Sequence, residues 1–163
     1  MFLGVDPGAS GATCFLEVST LPVFARHDST PSDYVADCAS RLADASMEAG
    51  GLRAFSFAVV ERVGAFPGQG VSSCFKFGRS AGFLEGVLTT LRVPFEFASP
   101  HVWQKAMGIT AINGESKTAH KNRTKAKAQQ LFPQLKITHA TADALLLAEY
   151  ARRLWNQRNG ATT

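Results

Sequence analysis

The chain has 163 residues, of which 45% are hydrophobic and 18% charged, and its formal net charge is +4. This length suits one globular domain, residues 1–163, with a sizeable core, and the composition is that of ordinary globular proteins. No apolar run approaches the roughly 18 residues of a membrane span. The N-terminus has no basic leader, so we expect a cytoplasmic protein without a membrane partner, with an organelle as the alternative compartment.

Apolar runs and turn residues predict three strands before the first helix. FLGVD ends in PGASGA, a Gly/Pro turn, and TCFLEV and LPVFARH supply two further strands of an antiparallel meander. Pro31 begins a helix whose apolar residues recur at helical spacing, and Gly50 ends it. SFAVVE is almost wholly apolar, which is typical of a central strand buried on both faces.

The second half of the chain is mostly helical. The Gly-rich loop GAFPGQG precedes a helix, FEFAS is a short strand, and the polar segment TAINGES predicts a mobile loop. The predicted helices are Ser72 to Leu91, a turn from Pro100 to Met107, a basic helix from Lys117 to Phe132, and Ala140 to Trp155. Together these elements predict an α/β fold in which helices flank a central mixed five-stranded sheet.

Three acidic residues stand where folding alone does not require them. Asp6 ends the first strand, Glu61 ends SFAVVE, and Asp143 lies within the apolar helix ATADALLLAEY. Each has an ordinary explanation: a turn cap, a strand end, or an exposed position in an N-terminal helical turn. If they converge at one edge of a sheet, they form a cluster that divalent cations neutralise. His139, one turn before Asp143, then becomes a candidate ligand or proton carrier.

Several longer motifs occur in one order along nearly the whole chain. They are FLGVDPGASGA, VVER followed by FKFGRSAGFLEGVL, then SPHVWQKAMG, the Lys-rich stretch and HATADALLLAEYARR. This ordered set resembles the RuvC-type Holliday junction resolvases, especially the short members from phages and plant chloroplasts. Bacterial members place an acidic residue or a histidine three before the final Asp. Here that position is Ala140 and His139 stands four before, a spacing more similar to the chloroplast-like members.

The resemblance implies a ribonuclease H-like fold and a homodimeric nuclease that resolves four-way DNA junctions by paired symmetric nicks. Asp6, Glu61 and Asp143 match the family's metal-binding carboxylates, and with His139 they are the expected catalytic and metal-binding residues. Phosphodiester chemistry predicts two Mg²⁺ ions roughly 4 Å apart, which Mn²⁺ can replace. The helix containing FKFGRSAGFLEGVL is the candidate dimer contact, with core packing as the competing explanation.

Basic and aromatic residues predict where DNA binds. No acidic residue occurs from Ser116 to Thr138, and this local excess of positive charge suits a polyanion, although a solvated helix face is the alternative. Phe66 matches an aromatic that stacks on an unpaired base in the family, unless it packs under its own loop. The residues expected to contact DNA are Phe66, Lys76, Arg79, Lys117, Lys121, Arg123, Lys125 and Lys127.

Three other functions remain open from the sequence. GVDPGASG also resembles the phosphate-binding turn of kinase-like and chaperone-like ATPases, although those proteins use two such domains and the sequence has no second turn. A nuclease of the same fold that processes structured RNA, such as ribosomal RNA precursors, differs in its substrate. A non-catalytic DNA-binding module would not need three carboxylates, so metal-dependent cleavage distinguishes it from an enzyme.

Overall fold

The computed structural model describes residues 1–8, 11–17, 21–27, 31–48, 57–62, 64 and 68–160. Within these ranges the strands are β1 (Phe2–Val5), β2 (Ala12–Leu16), β3 (Val23–Arg26), β4 (Phe57–Glu61) and β5 (Phe95–Ala98). They form one mixed sheet in the order β3-β2-β1-β4-β5. The first three strands are an antiparallel meander, whereas β4 runs parallel to both β1 and β5. The predicted meander and the interior position of SFAVVE are therefore confirmed.

Helices cover both faces of this sheet. They are α1 (Pro31–Glu48), α2 (Val71–Thr90), α3 (Pro100–Ala106), α4 (Lys117–Leu131) and α5 (His139–Asn159). Because successive strand residues point to opposite faces, the sheet separates two apolar layers. One layer contains buried residues of α1 and α2, and the other contains those of α3, α4 and α5. Within the described ranges, no helix is both long and apolar enough to cross a membrane.

Helix α5 lies unusually close to the central strand β1. A Cβ atom at Gly4 would overlap the carbonyl oxygen of Ala144 and the amide nitrogen of Ala148. Only glycine permits this approach without displacing the backbone of α5. Since side chains alternate along a strand, Phe2, Gly4 and the next residue on that face, Asp6, lie on the side of the sheet covered by α5.

The last helix is longer than its sequence pattern predicts, whereas α2 begins and ends one residue earlier than predicted. Helix α5 begins at His139 and continues to Asn159, followed by Gly160 with φ 68°. Glycine in this left-handed conformation is a common way to end a helix. The additional turn carries Arg158, whose two terminal nitrogens bind the carboxylate of Glu96 on β5 at 2.5 and 3.0 Å.

Candidate active site

Two of the predicted carboxylates extend from adjacent parallel strands. Asp6 directly follows β1 and Glu61 ends β4, so both lie at the same edge of the sheet. A tight turn holds Asp6 in place: its amide donates to the carbonyl of Ala12 at 3.1 Å, and the amide of Gly8 donates to its Oδ1 at 2.9 Å. The sequence pattern of an apolar strand, an acid and a Gly-rich turn thus fixes the carboxylate of Asp6 at the strand end.

The third carboxylate, Asp143, reaches this edge from α5. Its neighbour Ala144 contacts β1 at Gly4, which places Asp143 in the first turns of α5 beside the end of that strand. Asp6, Glu61 and Asp143 are each only partly exposed. Among the described residues, none of the three forms a salt bridge. The structure therefore brings together three acids that no cation of the described chain neutralises by direct contact.

Burial and mutual repulsion make these acids harder to ionise. Burial, followed by the charge of Asp6 and then that of Asp143, raises the pKa of Glu61 to about 7, although a hydrogen bond from Trp103 opposes the rise. Burial and the charge of Asp6 raise the pKa of Asp143 to about 6, against the positive charge of Lys121. Burial also raises the pKa of Asp6. Clusters of acids with raised pKa values are typical of functional sites.

The donor set has the chemistry of a site for a hard divalent cation. Carboxylate oxygens are the ligands that Mg²⁺ and Ca²⁺ prefer in proteins, and the charge of such an ion would offset the repulsion among the three acids. In the described part of the chain, however, no three side chains of His, Cys, Asp or Glu lie close enough to one another to hold a metal ion. The three acids thus fit a hard cation by donor type, and their role as ligands stays a prediction.

The structure places two histidines near the start of α5. His139 is exposed, and its Nε2 lies 3.1 Å from Oδ1 of Asn122 on α4. A second histidine, His120 on α4, is close enough for its charge to lower the pKa of Asp143. Its Nδ1 lies 3.2 Å from Oε2 of Glu115. Sequence reasoning missed His120 because it lies in a lysine-rich helix, where no local pattern sets it apart.

Glu115 organises the loop before α4. Arg123 donates to both of its oxygens, at 2.6 and 2.9 Å, and to the carbonyl of Thr110 at 2.8 Å. The hydrogen bonds from Arg123 are the largest of the causes that lower the pKa of Glu115 to about 2. The predicted loop over TAINGES is confirmed as a segment without helix or strand, and Glu115 anchors it to α4. The guanidinium of Arg123, one of the residues expected to contact DNA, is thus already paired.

The other predicted DNA contacts are distributed over two helices. Lys117 and Lys121 on α4 are exposed, whereas Lys125 and Lys127 are partly buried. Lys76 and Arg79 are exposed on α2, and Phe66 lies outside the described residues. Lys121 is the residue of this set whose charge acts on both Asp6 and Asp143. Lys121 therefore places the basic stretch of α4 beside two of the three acids.

Glu61 has a partner that sequence reasoning did not identify. The indole Nε1 of Trp103, on α3, donates a hydrogen bond to Oε1 of Glu61 at 3.0 Å. Trp103 is fully buried, with 0% of its surface exposed. The two residues are separated by 42 positions, so only the packing of α3 against the end of β4 brings them together.

Comparison with solved structures identifies the fold. The RuvC of Thermus thermophilus in complex with a Holliday junction substrate is similar at a TM-score of 0.56 and 13% identity, covering 97% of this chain and 95% of that one. A second Thermus thermophilus RuvC structure is similar at a TM-score of 0.55 and 14% identity, with the same coverage. No protein-family model and no curated protein matches the sequence. The predicted ribonuclease H-like fold with a mixed five-stranded sheet is confirmed.

Proposed function

We propose that this protein is a Mg²⁺-dependent endonuclease that resolves four-way DNA junctions by paired nicks. The cluster of Asp6, Glu61 and Asp143 carries the proposal, because it joins three partly buried acids from three separate elements. Holding such groups together opposes ionisation, and sites of this kind are usually retained for catalysis or binding. The RuvC-like fold supports the choice of substrate, since one similar structure contains a Holliday junction.

Asp6, Glu61 and Asp143 would hold the metal ions, with His139 as the additional ligand that the sequence predicts. Two Mg²⁺ ions, or Mn²⁺ in their place, would supply positive charge that activates a water and stabilises the leaving oxygen of a phosphodiester. A cation next to these acids lowers their pKa, so metal binding and deprotonation favour each other. We therefore expect cleavage to need both a divalent ion and a pH at which the acids are ionised.

Lys121 and His120 supply positive or hydrogen-bonding groups beside these acids. The charge of Lys121 acts on Asp6 and Asp143, and its exposed side chain is free to meet a phosphate of the reacting strand. Glu115 fixes the orientation of the His120 ring through Nδ1, which leaves Nε2 as the other polar atom of the ring. In this proposal both residues assist the carboxylates by holding the DNA backbone in place.

The lysine-rich face of α4 is proposed to bind the arms of the junction. Lys117, Lys121 and Lys125 recur every four residues, so they lie along one side of the helix. Lysines in such a row contact successive phosphates without reading sequence. Arg123 contributes indirectly, since it holds Glu115. The remaining proposed contacts are Lys127 on α4, Lys76 and Arg79 on α2, and Phe66 as the residue that stacks on an unpaired base.

The N-terminal half of α2 supports assembly into a homodimer. Phe75 is 70% exposed and Val71 is 86% exposed, so core packing within one chain does not account for these apolar side chains. Gly78 and Gly82 are also exposed, and nothing lies within 4 Å of a Cβ added at either. The same helix of a second copy of the chain would cover this surface, and that second copy would supply the other active site for the paired nick. Sedimentation equilibrium tests this: we expect a dimer in the wild type and a monomer in Phe75→Asp, and a wild-type monomer would contradict it.

A cleavage assay tests the proposed function directly. A synthetic four-way junction is incubated with Mg²⁺, with a linear duplex and a structured RNA as alternative substrates. We expect paired nicks in the junction, none without Mg²⁺, and none with Asp6→Asn. Asp44→Asn, an exposed acid on α1, is the matched control and should cut normally. Cleavage of the RNA in preference to the junction would assign the site to RNA processing instead, and full activity of Asp6→Asn would rule out the proposed site.

A further inference from the structure

The indole of Trp103 makes a polar contact in an otherwise apolar environment. Helix α3 follows β5 directly and packs Trp103 into the layer beneath α5, together with Val59 of β4 and Ala98 of β5. A tryptophan in such a place buries a large apolar ring. Its Nε1–H is a donor that needs an acceptor when water is excluded. The acceptor is Oε1 of Glu61, at 3.0 Å.

This hydrogen bond restricts how Glu61 presents its carboxylate. A glutamate side chain at a strand end has several accessible rotamers, and a metal site loses affinity when its ligands must be ordered on binding. The contact with Trp103 fixes one oxygen against a rigid, fully buried ring. Among the described residues, Oε2 of Glu61 has no hydrogen-bond partner, so it is the oxygen left available.

We infer that Trp103 is a positioning residue, whose indole N–H holds one carboxylate oxygen of Glu61 and leaves the other available to a divalent cation. The inference rests on the proposed function, because it assigns Glu61 as a metal ligand. Groups that hydrogen-bond to a metal ligand and orient it typically contribute 10- to 100-fold to metal affinity or activity. The competing explanation is that Trp103 only fills the core, in which case the direction of its N–H has no effect on metal binding.

Replacing Trp103 with phenylalanine separates the two explanations. Trp103→Phe keeps an aromatic ring in the core but removes the donor to Glu61. The matched control is Trp155→Phe on α5, where the indole is partly buried and lies 6.0 Å from Phe57 at the opposite end of β4. Binding of Mn²⁺ to the DNA-free protein is measured by calorimetry, so the readout does not depend on cleavage.

We expect Trp103→Phe to bind Mn²⁺ roughly 10- to 100-fold more weakly than the wild type, and Trp155→Phe to bind it as the wild type does. Unchanged Mn²⁺ affinity in folded Trp103→Phe would overturn the inference while leaving the proposed function intact. Absence of Mn²⁺ binding in the wild type would instead overturn the proposed function, and with it the assignment of Glu61 as a ligand.

A spectroscopic measurement covers the case in which Trp103→Phe does not fold. The chain contains two tryptophans, so Trp155→Phe leaves Trp103 as its one tryptophan, whose emission is excited selectively over that of the tyrosines. Because the indole N–H donates to Glu61, adding Mg²⁺ should shift or change the intensity of its emission. The same titration of a protein that also carries Glu61→Gln should show no change. An emission spectrum of Trp155→Phe that does not respond to saturating Mg²⁺ would contradict the inference.

Discussion

Asp143 and Glu149 lie six residues apart on α5, and burial acts on both carboxyl groups, yet their pKa values move in opposite directions. Glu149 is only 4% exposed, and its burial alone would raise its pKa. Hydrogen bonds from Arg152 and Arg153, at 2.7 to 2.8 Å, outweigh that effect and lower it. Asp143 has no such partner among the described residues, and burial together with the charge of Asp6 raises its pKa to about 6.

Glu149 is balanced within the chain, whereas Asp143 has no ion-pair partner among the described residues, and we propose that a cation from outside the chain neutralises it. Two arginines one helical turn beyond Glu149 neutralise it, so its charge is balanced once the helix forms. Asp143 has only the through-space charges of Lys121 and His120. The negative charge left over at Asp143, Asp6 and Glu61 is what a divalent cation would neutralise.

The largest expected effect is on cleavage. Asp143→Asn should lower junction cleavage by at least about 10³-fold, because losing one preorganised charged group at a reacting centre commonly costs 10²–10³-fold and here a metal ligand is lost as well. Glu149→Gln should cut at a rate close to that of the wild type, once both are assayed well below their melting temperatures. Single-turnover cleavage of a four-way junction measures both. Equal losses in the two variants would remove the functional distinction between these acids.

The effects on stability should be reversed: Glu149→Gln should destabilise the fold, whereas Asp143→Asn should not. Glu149→Gln leaves two arginines without their carboxylate partner, and the loss of charged hydrogen bonds at a partly exposed pair costs about 1–3 kcal/mol. Urea denaturation at neutral pH measures this free energy of unfolding. Asp143→Asn, examined in the same way without metal, should be at least as stable as the wild type. A destabilised Asp143→Asn would mean that this carboxylate also supports the fold.

The pH dependence of stability should differ between the two acids. A carboxyl group whose pKa is raised on folding, as at Asp143, stabilises less as pH rises from about 4 towards and past 6, because the folded state binds more protons in that window. The free energy of unfolding of Asp143→Asn should therefore rise relative to that of the metal-free wild type over this window. The difference should reach about 1–3 kcal/mol above pH 7. Glu149, whose pKa is lowered, contributes stability that is lost as pH falls. Parallel pH profiles for wild type and Asp143→Asn would contradict this.

The smallest expected effect concerns the cation nearest the cluster. Lys121→Ala should lower cleavage about 10-fold, less than the loss of a buried donor because the side chain is exposed. Lys125→Ala, one turn further along the same side of α4, is the matched control. It should weaken DNA binding and reduce its salt dependence by about one phosphate contact, with little effect on the rate at saturation. If the two variants have the same effect on that rate, Lys121 contributes to DNA binding alone.

The parts of this molecule that sequence predicts are those encoded locally. Asp6 and Glu61 each follow an apolar run, and parallel strands place such residues at a common edge, so their proximity follows from the pattern. Asp143 is predicted from a different local pattern, an acid within an apolar helix. The close packing of Gly4 against α5 could not be predicted from the sequence, because an isolated glycine in a strand can also mark a bulge, a bend or a ligand contact.

Contacts between distant segments could not be predicted. Trp103 reaches Glu61 across 42 residues and Arg158 reaches Glu96 across 62, so no periodicity or local spacing indicates either pair. Arg123 is predicted to contact DNA because it lies in a stretch without acids, and that stretch starts at Ser116. Glu115, one residue before that stretch, pairs with Arg123. Charge runs indicate a basic surface, but not which of their members are already paired.

Thermal unfolding with and without Mg²⁺ at pH 8 tests most directly whether Asp6, Glu61 and Asp143 form a cation site. A ligand that binds only the folded state stabilises it by about 2.7 kcal/mol at 100 times its Kd. We expect saturating Mg²⁺ to raise the melting temperature of the wild type and of Glu149→Gln by similar amounts, and to leave that of Asp143→Asn nearly unchanged. A wild-type melting temperature that does not respond to Mg²⁺, or an equal rise in Asp143→Asn, would contradict the assignment.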